Sequence, residues 1–184
     1  METLEQLKES LPDIARDIKL NLGNVLTAGT LSTTQVWGTA VSTAHAARNA
    51  RLVRVITQEA RNAGVEAGNL EDAQAAAVLM GMNNVFYRFR HVIQKESYTQ
   101  RPARLRMMRI AQVAASKVDF ELYCLAVSAI NGCEACVRSH EAAVLEGGLS
   151  EDHVQDAVRI ASVIHAAAVA LEVAEFGAQA SLPT

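Results

Sequence analysis

Two cysteines, Cys133 and Cys136, are separated by two residues in the string NGCEACVRSHE, and His140 follows four residues after the second cysteine. A pair at this spacing can bind a metal ion, form a structural disulfide, or cycle between dithiol and disulfide. On a helix all three side chains would share one face over two turns. An imidazole one turn from a thiol can accept its proton and return it to a leaving thiolate. The spacing therefore makes Cys136 and His140 a candidate nucleophile and base.

A histidine that moves protons works best when a third group orients it. Glu121 is the candidate for this role, because it lies between apolar residues on the preceding predicted helix, DFELYCLAVSAI. If that helix folds back on the next one, the Glu121 carboxylate can reach His140. The third cysteine, Cys124, lies on the same helix among apolar residues and is predicted to be a core residue. The remaining histidines lack this spacing, and we expect them to be structural or exposed: His45, His91, His153 and His165.

Metal chemistry is the main alternative for the cysteine pair. A zinc site could take both cysteines together with His140 and Glu121, and a non-catalytic helical protein with structural zinc is therefore a rival hypothesis. Structural zinc usually takes a second Cys or His pair, which this sequence does not offer. An iron–sulfur cluster needs more thiolates than the three cysteines supply. We therefore predict no metal ligands and a redox-active pair.

The predicted turn and helix around the cysteine pair should stabilise the thiolate form of Cys133. Asn131-Gly132 predicts a sharp turn, because glycine tolerates positive φ, and a helix should follow from about Cys133 to Glu146. Cys133 would then lie in the first turn, where the helix dipole stabilises an anion by about 0.3–1 kcal/mol, or up to ~2 when partly buried. At about 1.36 kcal/mol per unit, this lowers a thiol pKa by roughly one unit from ~8.5, so a nearby base is still needed.

The composition predicts an all-α protein with one domain over residues 1–184. Hydrophobic residues make up 50% of the chain but aromatic residues only 4%, so alanine and aliphatic side chains must fill the core. That favours close-packed helices over strands. Apolar residues recur at helical spacing, and residues 93–106 form the longest predicted connection.

Charge and hydropathy argue against two kinds of partner. A net charge of −3 gives no electrostatic footprint for nucleic acid. The most apolar run, AVRIASVIHAAAVALEVAEF, contains four ionisable side chains, Arg159, His165, Glu172 and Glu175, so it predicts a buried helix rather than a membrane span. The start, METLEQLKES, lacks the basic and apolar regions of a secretion signal. We expect a cytoplasmic protein, and in that compartment structural disulfides are rare.

A faint internal repeat divides the chain. TQVWGTAVSTAHAA aligns with FELYCLAVSAINGC at an offset of 86 residues, and EDAQAAAVLMG aligns with EDHVQDAVRIA at an offset of 80. Only the second copy carries the cysteines. The repeat therefore predicts two similar halves, a scaffold half over residues 1–92 and a half over residues 118–176 that carries the redox site.

Two strings, GMNNVFYRFR and FELYCLAVSAINGCEACVRSHE, closely resemble the alkyl hydroperoxidase D (AhpD) family of the carboxymuconolactone decarboxylase-like superfamily. The specific part is a glutamate twelve residues before Cys-x-x-Cys-x-x-x-His. The resemblance covers the whole chain, including LPDIARDIKLNL near its start. It implies an all-helical bacterial protein that assembles as a homotrimer.

The resemblance also implies an antioxidant function and a role for each site residue. Cys133 and Cys136 would form the redox disulfide, with Cys136 as the attacking thiol and Cys133 as proton donor and resolving thiol. His140 and Glu121 would form a proton relay. Dihydrolipoamide, carried on a lipoyl protein of a 2-oxoacid dehydrogenase complex, would reduce the disulfide, with no cofactor bound. The reduced cysteine pair would pass its electrons to a peroxiredoxin, the alkyl hydroperoxide reductase C subunit. It would also reduce hydroperoxides directly, with weak activity.

One position departs from the family pattern. Several members carry a histidine immediately before the second cysteine, where this chain has Ala135. If that histidine tunes thiol acidity, this chain depends more on His140, Glu121 and the helix terminus, so disulfide exchange is expected more than direct peroxidase activity. The superfamily also contains lyases that act on carboxymuconolactone without a Cys-x-x-Cys. The presence of both cysteines argues against that alternative.

Overall fold

The fold is helical throughout the part of the chain that the structure describes. The computed structural model describes residues 2–27 and 29–180, and no strand occurs among them. The predicted all-α class is confirmed. The α-helices of the described residues are α1 Leu4–Glu9, α2 Arg16–Val25, α3 Thr33–Ala47, α4 Ala50–Asn62, α5 Ala67–Ile93, α6 Glu96–Thr99, α7 Lys117–Ile130, α8 Glu134–Glu146 and α9 Glu151–Ala180.

Helices α3 and α7 form the centre of the bundle. Helix α3 packs against α4, α5, α7 and α9, and α7 packs against α5, α8 and α9. Small residues allow the two central helices to approach closely. A Cβ added at Gly38 of α3 would lie 2.2 Å from the ring of Tyr123 of α7, which is completely buried. The many alanines of the chain, together with Gly38, thus serve close packing between helix backbones.

The helices recur at a constant interval along the chain. Helices α3, α4 and α5 begin at residues 33, 50 and 67, and α7, α8 and α9 begin 84 residues later, at 117, 134 and 151. The turns before α4 and α8 also match, since Arg48 has a φ of 64° and Gly132 a φ of 63°. The interval of 84 residues between the helices lies between the two offsets read from the sequence, 86 and 80. Each sequence alignment therefore differs from the structural repeat by a few residues. The division into a scaffold half and a redox half stays a prediction.

The polar connection before α7 is fixed to α5 by a buried carboxylate. Asp72 of α5 accepts hydrogen bonds from the backbone N–H groups of Ala114 and Ala115 at 2.9 and 2.8 Å, and from the Arg109 guanidinium at 2.7 Å. The connection contains α6 and one 3-10 turn, Met108–Ala111. Since its end is held in this way, the residues just before Arg109 lie against the bundle near the start of α8.

Helix α9 contains the apolar run that the sequence predicts to be buried. Residues Glu151–Gly177 are long and apolar enough to cross a membrane. The core helices of soluble proteins have the same length and composition, so this is weak evidence for a membrane span. One face of α9 packs against α2, α3 and α7, and its buried side chains include Ile160, Ile164 and Leu171. The cytoplasmic location stays a prediction.

Candidate functional site

The turn between α7 and α8 places Cys133 at the helix start. Gly132 has a φ of 63°, in the left-handed region that favours glycine, so the chain reverses direction immediately after α7. The Cys133 N–H donates to the carbonyl of Ser128 at 3.1 Å, and the Cys133 carbonyl accepts from the N–H of Val137 at 2.9 Å. Cys133 is therefore the N-cap of α8, one residue before the first turn in which it was predicted, and it is completely buried.

Cys136 lies in the first turn of α8 and is bonded to Cys133. Their sulfur atoms form a disulfide across a Cα–Cα distance of 5.3 Å. Cys136 is 7% exposed, whereas Cys133 is fully enclosed. The two sulfurs thus differ in access, and Cys136 is the one that a molecule arriving from outside can meet.

His140 and Glu121 meet across the interface of α7 and α8. Nδ1 of His140 donates to Oε2 of Glu121 at 2.6 Å, because the ionised carboxylate can only accept. The other carboxylate oxygen accepts from Nζ of Lys117 at 2.5 Å. Nε2 of His140 lies 3.2 Å from the sulfur of Met80 on α5. The imidazole is therefore held on both sides, with a fixed proton on Nδ1.

The electrostatics of this group favour an ionised glutamate. The Glu121 side chain is only 12% exposed. Burial raises the pKa of Glu121, but the hydrogen bonds from His140 and Lys117 outweigh burial and hold that pKa below its usual value of 4.5. A negative charge is thus available at neutral pH to orient the imidazole and to stabilise its protonated form.

A pocket of about 250 Å³ opens beside the disulfide. It brings Cys136 and His140 together with residues from α5 and from the connection before α7. Asn83 is nearly buried, and its Oδ1 has no hydrogen-bond partner within the described residues. The lining residues are Asn83, Tyr87, Met107, Ile110, Ala135, Cys136, Ser139 and His140. The pocket therefore combines an apolar wall with the sulfur of Cys136 and the imidazole of His140.

A network of buried amides supports the turn before Cys133. Nδ2 of Asn84 donates to Oγ of Ser128 at 2.9 Å, and Oδ1 of Asn84 accepts from Nδ2 of Asn131 at 2.9 Å. The Arg88 guanidinium donates to the Asn131 carbonyl. Buried polar groups that are fully paired in this way hold one conformation. The network fixes the path of the backbone that carries the cysteine pair.

Several of these contributors were missed by sequence reasoning. Asn83 and Asn84 lie in GMNNVFYRFR, which carried the family resemblance but was given no roles. Two adjacent amides inside a largely apolar helix are a signal that could have found them, because a buried polar side chain needs a hydrogen-bond partner within the fold. Met80 gave no such signal, since a methionine on a helix is most simply a core residue.

The remaining cysteine and histidines lie apart from this pocket. Cys124 is free and completely buried, and burial raises the pKa of its thiol. His91 pairs with Glu134 on the surface, and burial lowers the pKa of His45. Among the described residues, no group of three or more His, Cys, Asp or Glu side chains is arranged to hold a metal ion. The expected absence of metal ligands stays a prediction.

Comparison with known proteins identifies relatives along almost the whole chain. The model of the carboxymuconolactone decarboxylase family matches residues 96–178, which include α7, α8 and most of α9. The part of the chain that carries the cysteine pair is therefore similar to that family. Three relatives, each named alkyl hydroperoxide reductase AhpD, extend the match along the chain.

The relative from Anaeromyxobacter sp. (strain K) is 62% identical over 97% of this chain and 95% of its own. The relative from Solibacter usitatus is 52% identical over 92% of this chain and 96% of its own. The relative from Rhodospirillum centenum is 49% identical over 92% of this chain and 91% of its own. The chain belongs to the AhpD family.

Proposed function

We propose that this protein is an antioxidant thiol oxidoreductase in which Cys133 and Cys136 cycle between dithiol and disulfide. It regenerates a peroxiredoxin, the alkyl hydroperoxide reductase C subunit, and reduces alkyl hydroperoxides weakly by itself. The observation that carries the proposal is one pocket that joins Cys136 of a bonded cysteine pair to a histidine fixed by Glu121. The family name of the relatives supports the substrate class.

In direct peroxide reduction, the alkyl part of a hydroperoxide lies along the apolar wall of the pocket. The Cys136 thiolate attacks the distal oxygen, the O–O bond breaks, and the sulfur is oxidised to a sulfenic acid. The alkoxide leaves and takes a proton held by His140. The Cys133 thiol then attacks the sulfenic sulfur, forming the disulfide and releasing water.

Reduction of the disulfide uses dihydrolipoamide, with no cofactor bound. One lipoyl thiolate attacks the sulfur of Cys136, because Cys133 is fully enclosed; the S–S bond breaks, and Cys133 leaves as a thiolate that is then protonated. The second lipoyl thiol then displaces Cys136 and closes the lipoyl disulfide. In the cell the dithiol is carried on a lipoyl protein of a 2-oxoacid dehydrogenase complex. The reduced pair passes the two electrons to the disulfide of the peroxiredoxin by the same exchange.

Ala135 decides which of these activities dominates. Its side chain is a methyl group in the pocket wall, at the position where several family members carry a histidine. Without a second imidazole, His140 is the base that the pocket provides beside Cys136. Disulfide exchange needs less proton transfer than O–O cleavage, so we infer that exchange with protein partners exceeds direct peroxidase activity.

The proposed homotrimer is supported by two matching apolar stripes. Val85, Phe89 and Val92 are exposed on α5, and Val169, Val173 and Phe176 are exposed on α9, each 84 residues later. A contact between α5 of one copy and α9 of the next is heterologous and closes into a ring if the rotation suits three copies.

Phe89→Glu with Phe176→Glu should convert a trimer to monomers in light scattering. A wild type that is itself monomeric would contradict the homotrimer.

The test of the redox cycle is a thiol titration. Unfolded samples are titrated before reduction, after dihydrolipoamide, and after a hydroperoxide is added to the reduced protein. We expect two thiols to be gained on reduction and lost on oxidation, because one disulfide forms and breaks. Cys133→Ser and Cys136→Ser should each abolish turnover, and Cys124→Ser is the matched control that retains it. Full turnover in Cys136→Ser would instead favour a lyase of the carboxymuconolactone decarboxylase type.

A further inference from the structure

The basic residues of this chain are concentrated in one segment. Of the 17 Lys and Arg residues, eight fall between residues 88 and 117, but only one of the 20 Asp and Glu residues does. This segment therefore carries a charge of +7 and the rest of the chain −10, although the whole chain carries −3. The small net charge thus conceals a strongly uneven distribution.

Within the described residues, most of these cations form no salt bridge. Arg109 pairs with Glu71 and Asp72, and Lys117 pairs with Glu121. The other six form no salt bridge within the described residues, and we call them the basic surface: Arg88, Arg90, Lys95, Arg101, Arg104 and Arg106. An uncompensated group of this size attracts anionic partners over several ångströms and is screened by salt.

The basic surface adjoins the pocket beside the cysteine pair. Arg106 directly precedes Met107, which lines the pocket. On the other side, Arg88 donates to the carbonyl of Asn131, two residues before Cys133. Any partner drawn to these cations is therefore brought next to the opening that leads to the disulfide.

We propose that the basic surface docks an acidic protein domain that delivers a dithiol on a flexible arm into the pocket. This inference rests on the proposed function, because it concerns the donor that reduces the disulfide. A pocket of about 250 Å³ admits a slender chain but no folded domain, so a protein-borne thiol must enter on an arm while its domain stays outside. Complementary charge would orient that domain and raise the rate of encounter.

A compact acidic domain suits this charge distribution better than a nucleic acid does. An extended polyanion would also meet the remainder of the chain, whose charge is −10. A compact domain can contact the basic surface alone and avoid that repulsion. The uneven distribution of charge along the chain therefore favours a partner that is small enough to contact the basic surface alone.

The test compares a reduced lipoylated domain of net negative charge with free dihydrolipoamide, which is uncharged. In Arg104→Glu with Arg106→Glu, the ratio of kcat/KM for the domain to kcat/KM for the free donor should fall at least about tenfold. The control, Arg16→Glu with Arg61→Glu, changes the net charge equally but lies on α2 and α4, away from the pocket. Its ratio should stay within about twofold of the wild type.

The outcomes separate this inference from the proposed function. An unchanged ratio in Arg104→Glu with Arg106→Glu, in protein with wild-type circular dichroism, would overturn the docking surface. If free dihydrolipoamide does not reduce the disulfide of the wild type, the proposed function itself fails. Labelled duplex DNA is the third probe. Binding of DNA that needs Arg104 and Arg106, with no effect on the ratio, would make the surface a nucleic-acid site and overturn the proposal.

Discussion

Replacing Glu121 with glutamine removes a negative charge that lies 2.6 Å from Nδ1 of His140 and 2.5 Å from Nζ of Lys117. A hydrogen bond with a charged partner contributes about 1.5–3 kcal/mol. Glutamine keeps one carbonyl oxygen that can still accept from His140, so the loss should lie near the lower value. At about 1.4 kcal/mol per factor of ten, this predicts a decrease in kcat/KM of roughly tenfold.

Two measurements report this loss. The first is kcat/KM for dihydrolipoamide-dependent reduction of a hydroperoxide. The second is the rate at which iodoacetamide alkylates Cys136 as a function of pH, which should shift to higher pH because the base that accepts the thiol proton is less well held. Glu146→Gln is the matched control, since Glu146 is exposed at the end of α8. It should leave both measurements unchanged.

A double-mutant cycle decides whether Glu121 acts through His140. If it does, Glu121→Gln should cost less than about twofold in protein that already carries His140→Phe, because the group that it orients is absent. If the two losses multiply instead, Glu121 has a separate role. A kcat/KM within twofold of the wild type for Glu121→Gln alone would refute the relay.

Three further predictions concern pH, packing and thiol reactivity. Because the pKa of Glu121 is held below 4.5, its charge stabilises the fold above that pH and the stabilisation is lost as pH falls. The wild type should therefore lose its advantage in unfolding free energy over Glu121→Gln as the pH falls from about 5 to 3. Urea titrations measure this difference, and a difference that does not change with pH would contradict the prediction. Gly38→Ala should destabilise by about 1–3 kcal/mol through its clash with Tyr123. Gly81→Ala, with open space around its Cβ position, should stabilise the protein by about 1 kcal/mol. A higher melting temperature for Gly38→Ala than for Gly81→Ala would contradict the close contact between Gly38 and Tyr123. Because burial raises the pKa of Cys124, iodoacetamide should label it only after unfolding, as mass spectrometry can check.

The redox pocket illustrates which contacts can be read from sequence. Cys136 and His140 lie four residues apart on one helix, as do Lys117 and Glu121, so both pairs follow from helix geometry once the helices are assigned. The first pair was predicted, and the second could have been by the same rule. The approach of Glu121 to His140 was a conditional prediction, because it needed α7 to fold back on α8. The distance of 2.6 Å meets that condition, while the roles of these residues stay proposals.

The contributions of α5 were outside the reach of local patterns. Met80 contacts His140 and Asn83 lines the pocket, yet both are at least 50 residues away from the cysteines in the chain. No spacing rule connects such positions, because their proximity results from how whole helices pack. The same holds for the different access to the two sulfurs. Helix-terminus arguments favoured Cys133 as the more acidic thiol, but packing encloses it and leaves Cys136 at the pocket.

The sequence by itself determined the helical class, the family, the cysteine pair and its register with His140, since these depend on composition and on residues within two helical turns. Tertiary structure alone decided the pocket, the burial of Asn83, the side of the disulfide that faces the pocket, and the place of Arg88 and Arg106 beside it. The physical reason is that side-chain periodicity is a local property of a helix. Which faces of distant helices meet is settled by the packing of the whole core.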